Sequence, residues 1–382
     1  MRRSGTQPTV SIIVPTRNNA PSLALTLRSV LTQSVRCRYE LLVIDNGSTD
    51  ESRSVAHDAL SAYPSKVRYI YEPVPGLLSG RHRGAAEARS ELLMFIDDDI
   101  DVAPSWLESI VESFEEPSVQ IVGGPSLPKF GSVPPNWVSS FWTHTPYEGR
   151  MCNWLSLLDL GQRQRDSGQN IDVDPTYLWG LNFGIRKQAL FDLGGFHPDG
   201  YPAELLWFRG DGENGVGLGA RNAKFRALYN YKALVYHRIP GTRLTPGYFA
   251  QRAYCQGISD SYTEFRRNAG ISGSDESNQI HFHSGIMPWL RGKARPLKAL
   301  ANELMLTRRG EKPDRPAQGA FKQPANDVIF VKAAIGQAYR LGFEFHQRSV
   351  QKHREIFDWV LRRDYWDYRP PAIDGYDRNA IY

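Results

Sequence analysis

The first hundred residues alternate short apolar runs with longer stretches in which apolar residues recur at helical spacing. The short runs predict buried strands and the longer ones predict amphipathic helices. The predicted strands are 9–15, 39–45, 67–71 and 91–97, and the predicted helices are 22–33, one that begins near Asp50, and 77–90. Strands and helices that alternate over short connections are typical of an α/β fold with a mostly parallel sheet flanked by helices.

The second half of the chain is less regular. From 124 to 175, prolines and tryptophans interrupt every pattern, which predicts a long irregular segment packed by aromatic side chains. An ordered pattern resumes from 177 to about 268. Beyond it we predict a loop at 270–276, helices at 297–307 and 328–361, and a polar linker at 308–325. The chain therefore divides into an α/β domain over 1–268 and a mainly helical C-terminal extension over 269–382.

Composition excludes several classes of protein. The 382 residues are 41% hydrophobic and 23% charged, as in a globular protein with a large core. A net charge of +5, with neither a zinc finger nor a basic helix, argues against nucleic acid as a partner. Three widely spaced cysteines argue against a disulfide framework and favour a reducing compartment. No apolar run reaches the roughly 18 residues that a membrane span requires.

One basic stretch near the C-terminus bears on location. Its residues are Arg291, Lys293, Arg295, Lys298, Arg308 and Arg309. The stretch is interpreted either as a solvated basic face or as a surface that docks on an anionic membrane. We therefore predict a cytoplasmic protein, free in solution or peripheral at the inner face of the membrane.

Three predicted strands end in polar groups: Pro15-Thr16-Arg17-Asn18, Asp45-Asn46-Gly47 and Asp97-Asp98-Asp99. Such residues are also ordinary turn and cap residues after strands. The carboxyl ends of parallel strands lie on one edge of the sheet, however, where such folds bind ligands. All three groups are therefore expected to converge at one site.

The run Asp97-Asp98-Asp99 follows an almost wholly apolar strand. Three adjacent carboxylates near a low-dielectric sheet need a compensating cation, and oxygen ligands favour Mg²⁺ or Mn²⁺. A metal held by so few carboxylates completes its shell with water and phosphate oxygens, which points to a diphosphate ligand. The alternative is an acidic helix N-terminus.

Two further groups suit a nucleotide. The carboxylate of Asp45 can accept a hydrogen bond from a base N–H or a ribose hydroxyl. Arg81 and Arg83, near the start of a helix, suit phosphate contact, although they are equally well explained as solvated surface charges.

Residues 9–124 resemble glycosyltransferase family 2 enzymes of the GT-A fold, which are inverting transferases that use nucleotide-sugars. The resemblance rests on four ordered motifs, VSIIVPTRNN, ELLVIDNGSTDES, PGLLSGRHRGAAEA and ELLMFIDDDIDVAPSWLE. It implies that 9–124 is the nucleotide-sugar-binding half of the domain and 125–268 the acceptor and catalytic half. The donor nucleotide contacts implied by it are Pro15, Thr16, Arg17, Asp45, Arg81, Asp97 and Asp98. Asn46 departs from the family, in which many members have a second Asp at this position. We therefore assign it no specific contact.

The resemblance also implies the metal and catalytic residues. Asp97 and Asp99 match the Asp-x-Asp motif, with Asp99 as the direct ligand. His237, at the end of an apolar run, corresponds to a third ligand in several GT-A enzymes, although a structural histidine explains the position equally well. The usual Glu-Asp pair is replaced by Gly210 and Asp211. Asp211 is therefore the predicted base and Glu213 the alternate.

Other residues of the second half are assigned to the donor and the acceptor. Trp179, Gly180 and Asn182 resemble the family's strand beside the donor sugar. Arg243 and the neighbouring Arg238 are candidates for diphosphate contact once a loop closes. Trp137, Trp142 and Trp154 are either acceptor-stacking faces or core residues.

The predicted function is an inverting, metal-dependent transfer of a sugar from a nucleoside diphosphate to a hydroxyl of a glycan or lipid-linked acceptor. UDP-sugar is the favoured donor, with GDP- and dTDP-sugars as alternatives. A sugar nucleotidyltransferase would need a Gly-rich, Lys- or Arg-bearing loop after the first strand, where the chain has Thr16-Arg17-Asn18-Asn19. A noncatalytic nucleotide- or glycan-binding module is the other alternative, and Gly210 in place of Glu is its support.

Overall fold

The computed structural model describes residues 7–161, 166–271 and 328–373. The strands of the larger sheet are β1 (Val10–Thr16), β2 (Tyr39–Asp45), β3 (Val67–Tyr71), β4 (Leu92–Ile96), β6 (Val119–Gly123), β11 (Ile171–Val173), β12 (Asn182–Arg186) and β13 (Arg226–Tyr229). A smaller sheet contains β5 (Ile100–Val102), β7 (Ser126–Phe130), β8 (Thr143–His144), β9 (Arg150–Cys152), β10 (Leu157–Asp159) and β14 (Val235–Ile239).

The helices flank these sheets and extend the chain at its C-terminal end. They are α1 (Ala20–Leu31), α2 (Ser52–Ala62), α3 (Leu77–Glu87), α4 (Trp106–Ser113), α5 (Lys187–Asp192), α6 (Glu213–Asn222), α7 (Pro246–Asn268), α8 (Val328–Lys352) and α9 (Arg354–Val360). Short 3-10 turns separate several of them, including Gly241–Arg243 between β14 and α7.

The larger sheet confirms the α/β prediction. Its strand order is β11-β13-β6-β12-β4-β1-β2-β3. The pairs β3-β2, β2-β1, β1-β4 and β6-β13 are parallel, whereas β12 runs antiparallel to both of its neighbours. The carboxyl ends of β1, β2 and β4 consequently lie side by side.

Alternate side chains of β1 enter two different cores, which explains its unbroken apolar run. Ile13 packs in a cluster on the α3 side of the sheet, with Leu78. Ile12 packs on the opposite side, where α1 contributes Leu23 and Leu27. A strand that is buried on both faces needs apolar residues at every position.

The segment from 124 to 175 is more regular than its sequence indicates. It supplies four strands of the smaller sheet, β7 to β10, together with β11 of the larger one. These strands have two to five residues each, which is too short for alternation to be recognised. Trp137 and Trp154 are buried with Phe141 and Phe249, as expected of core residues. Trp142 is half-buried, and Arg150 lies 4.7 Å above its ring.

The described part of the C-terminal extension is helical and packs on the α/β domain. Helix α8 lies along α7, in close backbone contact at Gly257 and Gly342. The predicted helix over 328–361 is divided at His353, whose backbone is extended, with φ of −124° and ψ of 115°. The predicted helix at 297–307, most of the loop at 270–276, the linker at 308–325 and the basic stretch at 291–309 lie outside the described residues. In the part that is described, no helix is long and apolar enough to span a membrane.

Candidate functional site

Asp98 joins the ends of β1 and β4. Its Oδ2 accepts a hydrogen bond from the Thr16 hydroxyl at 2.6 Å, and its Oδ1 accepts one from Asn19 Nδ2 at 2.7 Å. Burial raises the pKa of Asp98 to about 7, against the opposing effect of these hydrogen bonds. Two of the three predicted strand ends are therefore in direct contact, through a side chain that faces protein groups.

Asp45, at the end of β2, is also held by protein groups. Its Oδ1 accepts a hydrogen bond from the Ser48 backbone N–H and its Oδ2 accepts one from the Tyr69 hydroxyl, both at 2.8 Å. Burial and the adjacent carboxylate raise the pKa of Tyr69 to about 12. Beside them, Pro15 is buried and Arg17 is exposed to solvent.

Asn46, which received no contact in the sequence analysis, orders the connection to α3. Its side-chain amide donates to the Val74 carbonyl at 2.6 Å and to the Glu72 carbonyl at 3.2 Å. Its Oδ1 accepts a hydrogen bond from the Gly76 N–H at 2.8 Å. An Asp at this position could not donate to the two carbonyls. The departure from the family is thus matched by a local structure that requires an amide.

Arg81 is the centre of a charged cluster on α3. Its side chain is only 3% exposed, and its guanidinium contacts Glu213 at 3.0 Å and Asp97 at 3.4 Å. Gly180 lies directly against this guanidinium, and a Cβ at that position would collide with it. Four residues predicted from distant parts of the chain, Arg81, Asp97, Gly180 and Glu213, are therefore in one place.

A second charged cluster surrounds Asp99. Its Oδ2 lies 2.7 Å from Arg243 Nη1 and 3.3 Å from His237 Nε2, and the same Arg243 nitrogen lies 2.9 Å from His237 Nε2. Burial would raise the pKa of Asp99, but the contacts with His237 and Arg243 lower it to about 2. Asp99 is therefore ionised at neutral pH.

The tautomer of His237 follows from its neighbours. Nδ1 lies 2.9 Å from the Leu155 carbonyl, to which it can only donate. Nε2 lies 2.9 Å from Arg243 Nη1, which can only donate, and 3.3 Å from Asp99 Oδ2, which can only accept; the shorter contact favours a lone pair on Nε2. A histidine held in this way has the orientation of a metal ligand, with its other ring nitrogen fixed by a carbonyl.

The residues fit a divalent metal in part. Asp99 Oδ1 is buried and, within the described residues, has no hydrogen-bond partner. That oxygen and His237 Nε2 are ligands that Mn²⁺ and Mg²⁺ can accept. Across 7–161, 166–271 and 328–373, however, no three His, Cys, Asp or Glu side chains are grouped closely enough to hold a metal by themselves. Asp97 is turned to Arg81, and the loss of hydration raises its pKa, as do the charges of Asp99 and Glu213.

Asp211 and Glu213 have different surroundings, although they are two residues apart. Asp211 is 5% exposed, and its carboxylate contacts His197 Nδ1 at 2.6 Å and the Thr263 hydroxyl at 2.8 Å. Burial opposes its ionisation, but His197 lowers its pKa. Glu213 begins α6 and is 26% exposed. Burial raises the pKa of the Glu213 carboxyl, but the positive charge of Arg81 lowers it, and the net effect is a lowered pKa.

Asn182 and Trp179 lie beside these groups with their polar atoms bonded to protein. Asn182 is buried; it accepts a hydrogen bond from Trp106 Nε1 at 3.0 Å and donates to the Ala233 carbonyl at 2.8 Å. Trp179 Nε1 donates to the Thr176 carbonyl at 3.2 Å.

Sequence reasoning missed His197, the partner of Asp211. Nothing in its local sequence marks it, since a histidine 14 residues before an aspartate is unremarkable. The signal lies in packing: Gly215 of α6 sits against the imidazole, where a Cβ would collide with its Nδ1. Only the folded chain brings these groups together.

The strand order and the charged groups at one edge of the sheet define a mixed α/β protein, as the sequence predicted. Residues 11–190 match the family described as Glycosyl transferase family 2.

Relatives include the glycosyltransferase AglE of Haloferax volcanii, with 32% identity over 32% of this chain and 40% of that protein. A glucosyl-dolichyl phosphate glucuronosyltransferase of the same organism is 25% identical over 65% of this chain and 75% of its own length. The succinoglycan biosynthesis protein ExoM of Rhizobium meliloti is 28% identical over 42% of this chain and 58% of its own length. The chain thus spans less than half of AglE.

Among solved structures, similarity extends to a mannosyltransferase of Pyrobaculum calidifontis in complex with GDP-Man and Mn²⁺. Its identity is 17% and its TM-score 0.45, over 95% of this chain and 86% of that one. GalNAc-T7 with UDP, GalNAc and Mn²⁺ is 16% identical, with a TM-score of 0.45, over 61% of this chain and 43% of that one.

Proposed function

We propose that the protein transfers a sugar from a nucleoside diphosphate to a hydroxyl of a glycan or lipid-linked acceptor. The observation that carries the proposal is the meeting of Arg81, Asp97 and Glu213 at the carboxyl edge of the sheet, beside the cluster of Asp99, His237 and Arg243. Guanidinium groups and a cation-binding carboxylate at one edge suit a diphosphate leaving group. The match of residues 11–190 to the family supports the same reaction class.

Asp99 and His237 would hold a divalent metal, Mn²⁺ or Mg²⁺, in this proposal. When bound, such an ion stabilises negative charge on the departing diphosphate as a Lewis acid. Arg81 contributes a fixed positive charge on the other side of Asp97. Asn182, which is buried and fully bonded, positions the chain beside Gly180 and does not itself contact the donor.

Glu213 is the catalytic base in this proposal, rather than the first choice made from the sequence, Asp211. The carboxylate of Asp211 is occupied by His197 and Thr263, whereas Glu213 is partly exposed beside Arg81 and Gly180. Glu213 deprotonates the acceptor hydroxyl as it attacks the anomeric carbon from the face opposite the leaving group. A single displacement of this kind inverts the configuration.

The nucleoside lies over the ends of β1 and β2, near Pro15, Thr16, Arg17 and Asp45. UDP is the favoured nucleotide. The printed names of two relatives, the glucosyl-dolichyl phosphate glucuronosyltransferase and the succinoglycan biosynthesis protein, support a lipid-linked or polysaccharide acceptor. We place the reaction in the cytoplasm or at the inner face of the membrane.

The experiment that tests this function follows release of nucleoside diphosphate from UDP-, GDP- and dTDP-sugars by purified protein with Mn²⁺, Mg²⁺ or EDTA. We expect metal-dependent release from one donor and its loss in Asp99→Ala. Asp58→Ala, which removes an exposed carboxylate on α2, is the matched control and keeps the wild-type rate. Absence of release from every donor in both metals would refute the transferase.

A further inference from the structure

Arg243 contacts both side chains of the proposed metal site and covers one of its two ligand atoms, His237 Nε2. Its Nη1 contacts both Asp99 Oδ2, at 2.7 Å, and His237 Nε2, at 2.9 Å. These two atoms belong to the side chains that would hold the ion. One nitrogen therefore contacts an anionic oxygen and a ring lone pair at once, as a bound cation does.

The guanidinium and a divalent ion compete for the same charge. The Asp99 carboxylate is only 9% exposed, so it needs a positive partner in every state of the protein. Arg243 supplies that partner from a turn of three residues, Gly241–Arg243, and its side chain is 30% exposed. It can therefore leave Asp99 without breaking a strand or a long helix.

We propose that Arg243 is a displaceable cation: it occupies the metal position when no metal is bound, and it must leave Asp99 and His237 before a metal can bind. This inference rests on the proposed function, because it assigns a metal to the same pair of residues. Once displaced, the guanidinium remains at the carboxyl edge of the sheet, where the diphosphate of a donor offers it new acceptors. Donor and metal should then increase each other's affinity.

The test measures the affinity of the full-length protein for Mn²⁺ without nucleotide, from the electron paramagnetic resonance signal of the free ion. We expect Arg243→Ala to bind Mn²⁺ about tenfold more tightly than wild type, within the usual range for coupled binding. Arg243→Lys keeps the charge and should remain near wild type. Thermal unfolding curves confirm that each variant is folded.

Two controls locate the effect. Lys129→Gln removes an exposed positive charge that is paired with Asp101 and touches neither proposed ligand, so it should bind Mn²⁺ as wild type does. Asp99→Asn, added to Arg243→Ala, should abolish the gain. If Arg243→Ala binds no more tightly than Lys129→Gln, or if the gain survives in the double variant, Arg243 does not compete for this site.

The outcome is separable from that of the proposed function. If wild type shows metal-dependent release of nucleoside diphosphate but Arg243→Ala has unchanged Mn²⁺ affinity, the transferase stands and only the role of Arg243 is refuted. If no variant binds Mn²⁺, the role of Arg243 is refuted as well, and release of nucleoside diphosphate in EDTA then decides whether the transferase acts without metal.

Discussion

Two carboxylates in one short segment illustrate how surroundings divide roles among similar residues. Asp211 is buried and bonded to His197 and Thr263, whereas Glu213 is partly exposed and faces Arg81. Both are ionised at neutral pH, since the pKa of each is lowered. Ionisation alone therefore does not identify the base. The proposed assignment of Glu213 rests instead on its partial exposure beside Arg81.

Substitution of the two carboxylates should separate these roles. We expect Glu213→Gln to lower kcat on the order of 10²- to 10⁴-fold with donor affinity retained, because the amide keeps the shape but cannot take a proton. Asp211→Asn should instead lower the free energy of unfolding by about 1–3 kcal/mol, since a buried hydrogen-bonded group is altered. Steady-state kinetics and urea unfolding of both variants measure the two effects. The opposite pattern would return the base to Asp211.

Two buried histidines should make the protein less stable as the pH falls. Burial lowers the pKa of His82 and of His346 to about 3. The unfolded chain binds a proton at each below about 6.5, and the folded chain does so only near 3. Between these values the unfolded state is favoured as pH decreases, by at most about 1.4 kcal/mol per pH unit for each histidine.

Urea unfolding at pH 7, 6 and 5 measures this effect. His346→Gln should show a shallower loss of stability than wild type, because one of the two groups no longer titrates. His144→Gln, at an exposed position, should keep the wild-type dependence. The difference between the variants gives the contribution of His346 alone, because all other titrating groups are shared. Equal slopes of the free energy of unfolding against pH in all three proteins would contradict the prediction.

From the sequence, Asp211 was the first choice of base and Glu213 the alternate, and the structure reverses that order in the proposal. Asp99 was a candidate because it follows a strand of the larger sheet, whereas the family resemblance supplied the roles of His237 and Glu213. Positions of the first kind can be recognised from the residues that adjoin them in the sequence. By contrast, Asp211 is occupied by His197 and Thr263, which other elements bring to it, and no local pattern reports such a contact.

At the scale of elements, long apolar runs were predicted well and short strands were not. β1 to β4 were anticipated within one or two residues because each is a run of apolar residues between turn signals. The smaller sheet escaped prediction because its strands have two to five residues. Some of their partners are also distant in sequence: β5 and β7 both pair with β14. Tertiary pairing, rather than local propensity, forms these strands.

Helices α7 and α8 approach each other through glycines. A Cβ at Gly257 would collide with the Tyr339 carbonyl, and one at Gly342 with the Tyr254 carbonyl. Because the obstacles are backbone atoms, side-chain rearrangement cannot relieve the overlap. The close approach of the two helices therefore depends on glycine at both positions.

Gly257→Ala should lower the free energy of unfolding by about 1–3 kcal/mol, the usual range for overpacking. Gly247→Ala is the matched control: it lies on the same helix with no atom within 4 Å of the added Cβ. That change should be neutral or should stabilise by about 0.5–1 kcal/mol, because alanine favours helix. Urea unfolding compares the two. Similar effects of both changes would contradict the close approach of the helices.

At the scale of the molecule, the extension and the α/β domain share one core. Trp359 and Tyr365 are buried in the same cluster as Phe95 of β4. His82 of α3 donates from Nδ1 to the Tyr365 carbonyl at 3.0 Å, since its Nε2 accepts from a backbone N–H. Trp366 stacks on the ring of His82. The segment after α9 thus lies against the helix that carries Arg81.

A shared core predicts that the extension and the domain unfold together. Tyr365→Ala removes a fully buried ring, whose hydroxyl bonds Tyr262 and the Trp359 carbonyl. We expect a loss of about 3–5 kcal/mol in the free energy of unfolding. If unfolding is cooperative, the same loss of stability should expose Cys152 more often, although Cys152 is buried in a different cluster around the smaller sheet.

Thiol labelling of Cys152 under native conditions, in a background with Cys37 and Cys255 replaced by serine, measures this spread. Where opening precedes labelling, each 1.4 kcal/mol lost raises the rate about tenfold, so Tyr365→Ala should accelerate labelling by at least a hundredfold. Tyr63→Ala, at an exposed position directly after α2, should leave the rate unchanged. Unchanged labelling in Tyr365→Ala, despite loss of helical circular dichroism, would instead mean that the extension opens alone. The donor site would then be built by the α/β domain without it.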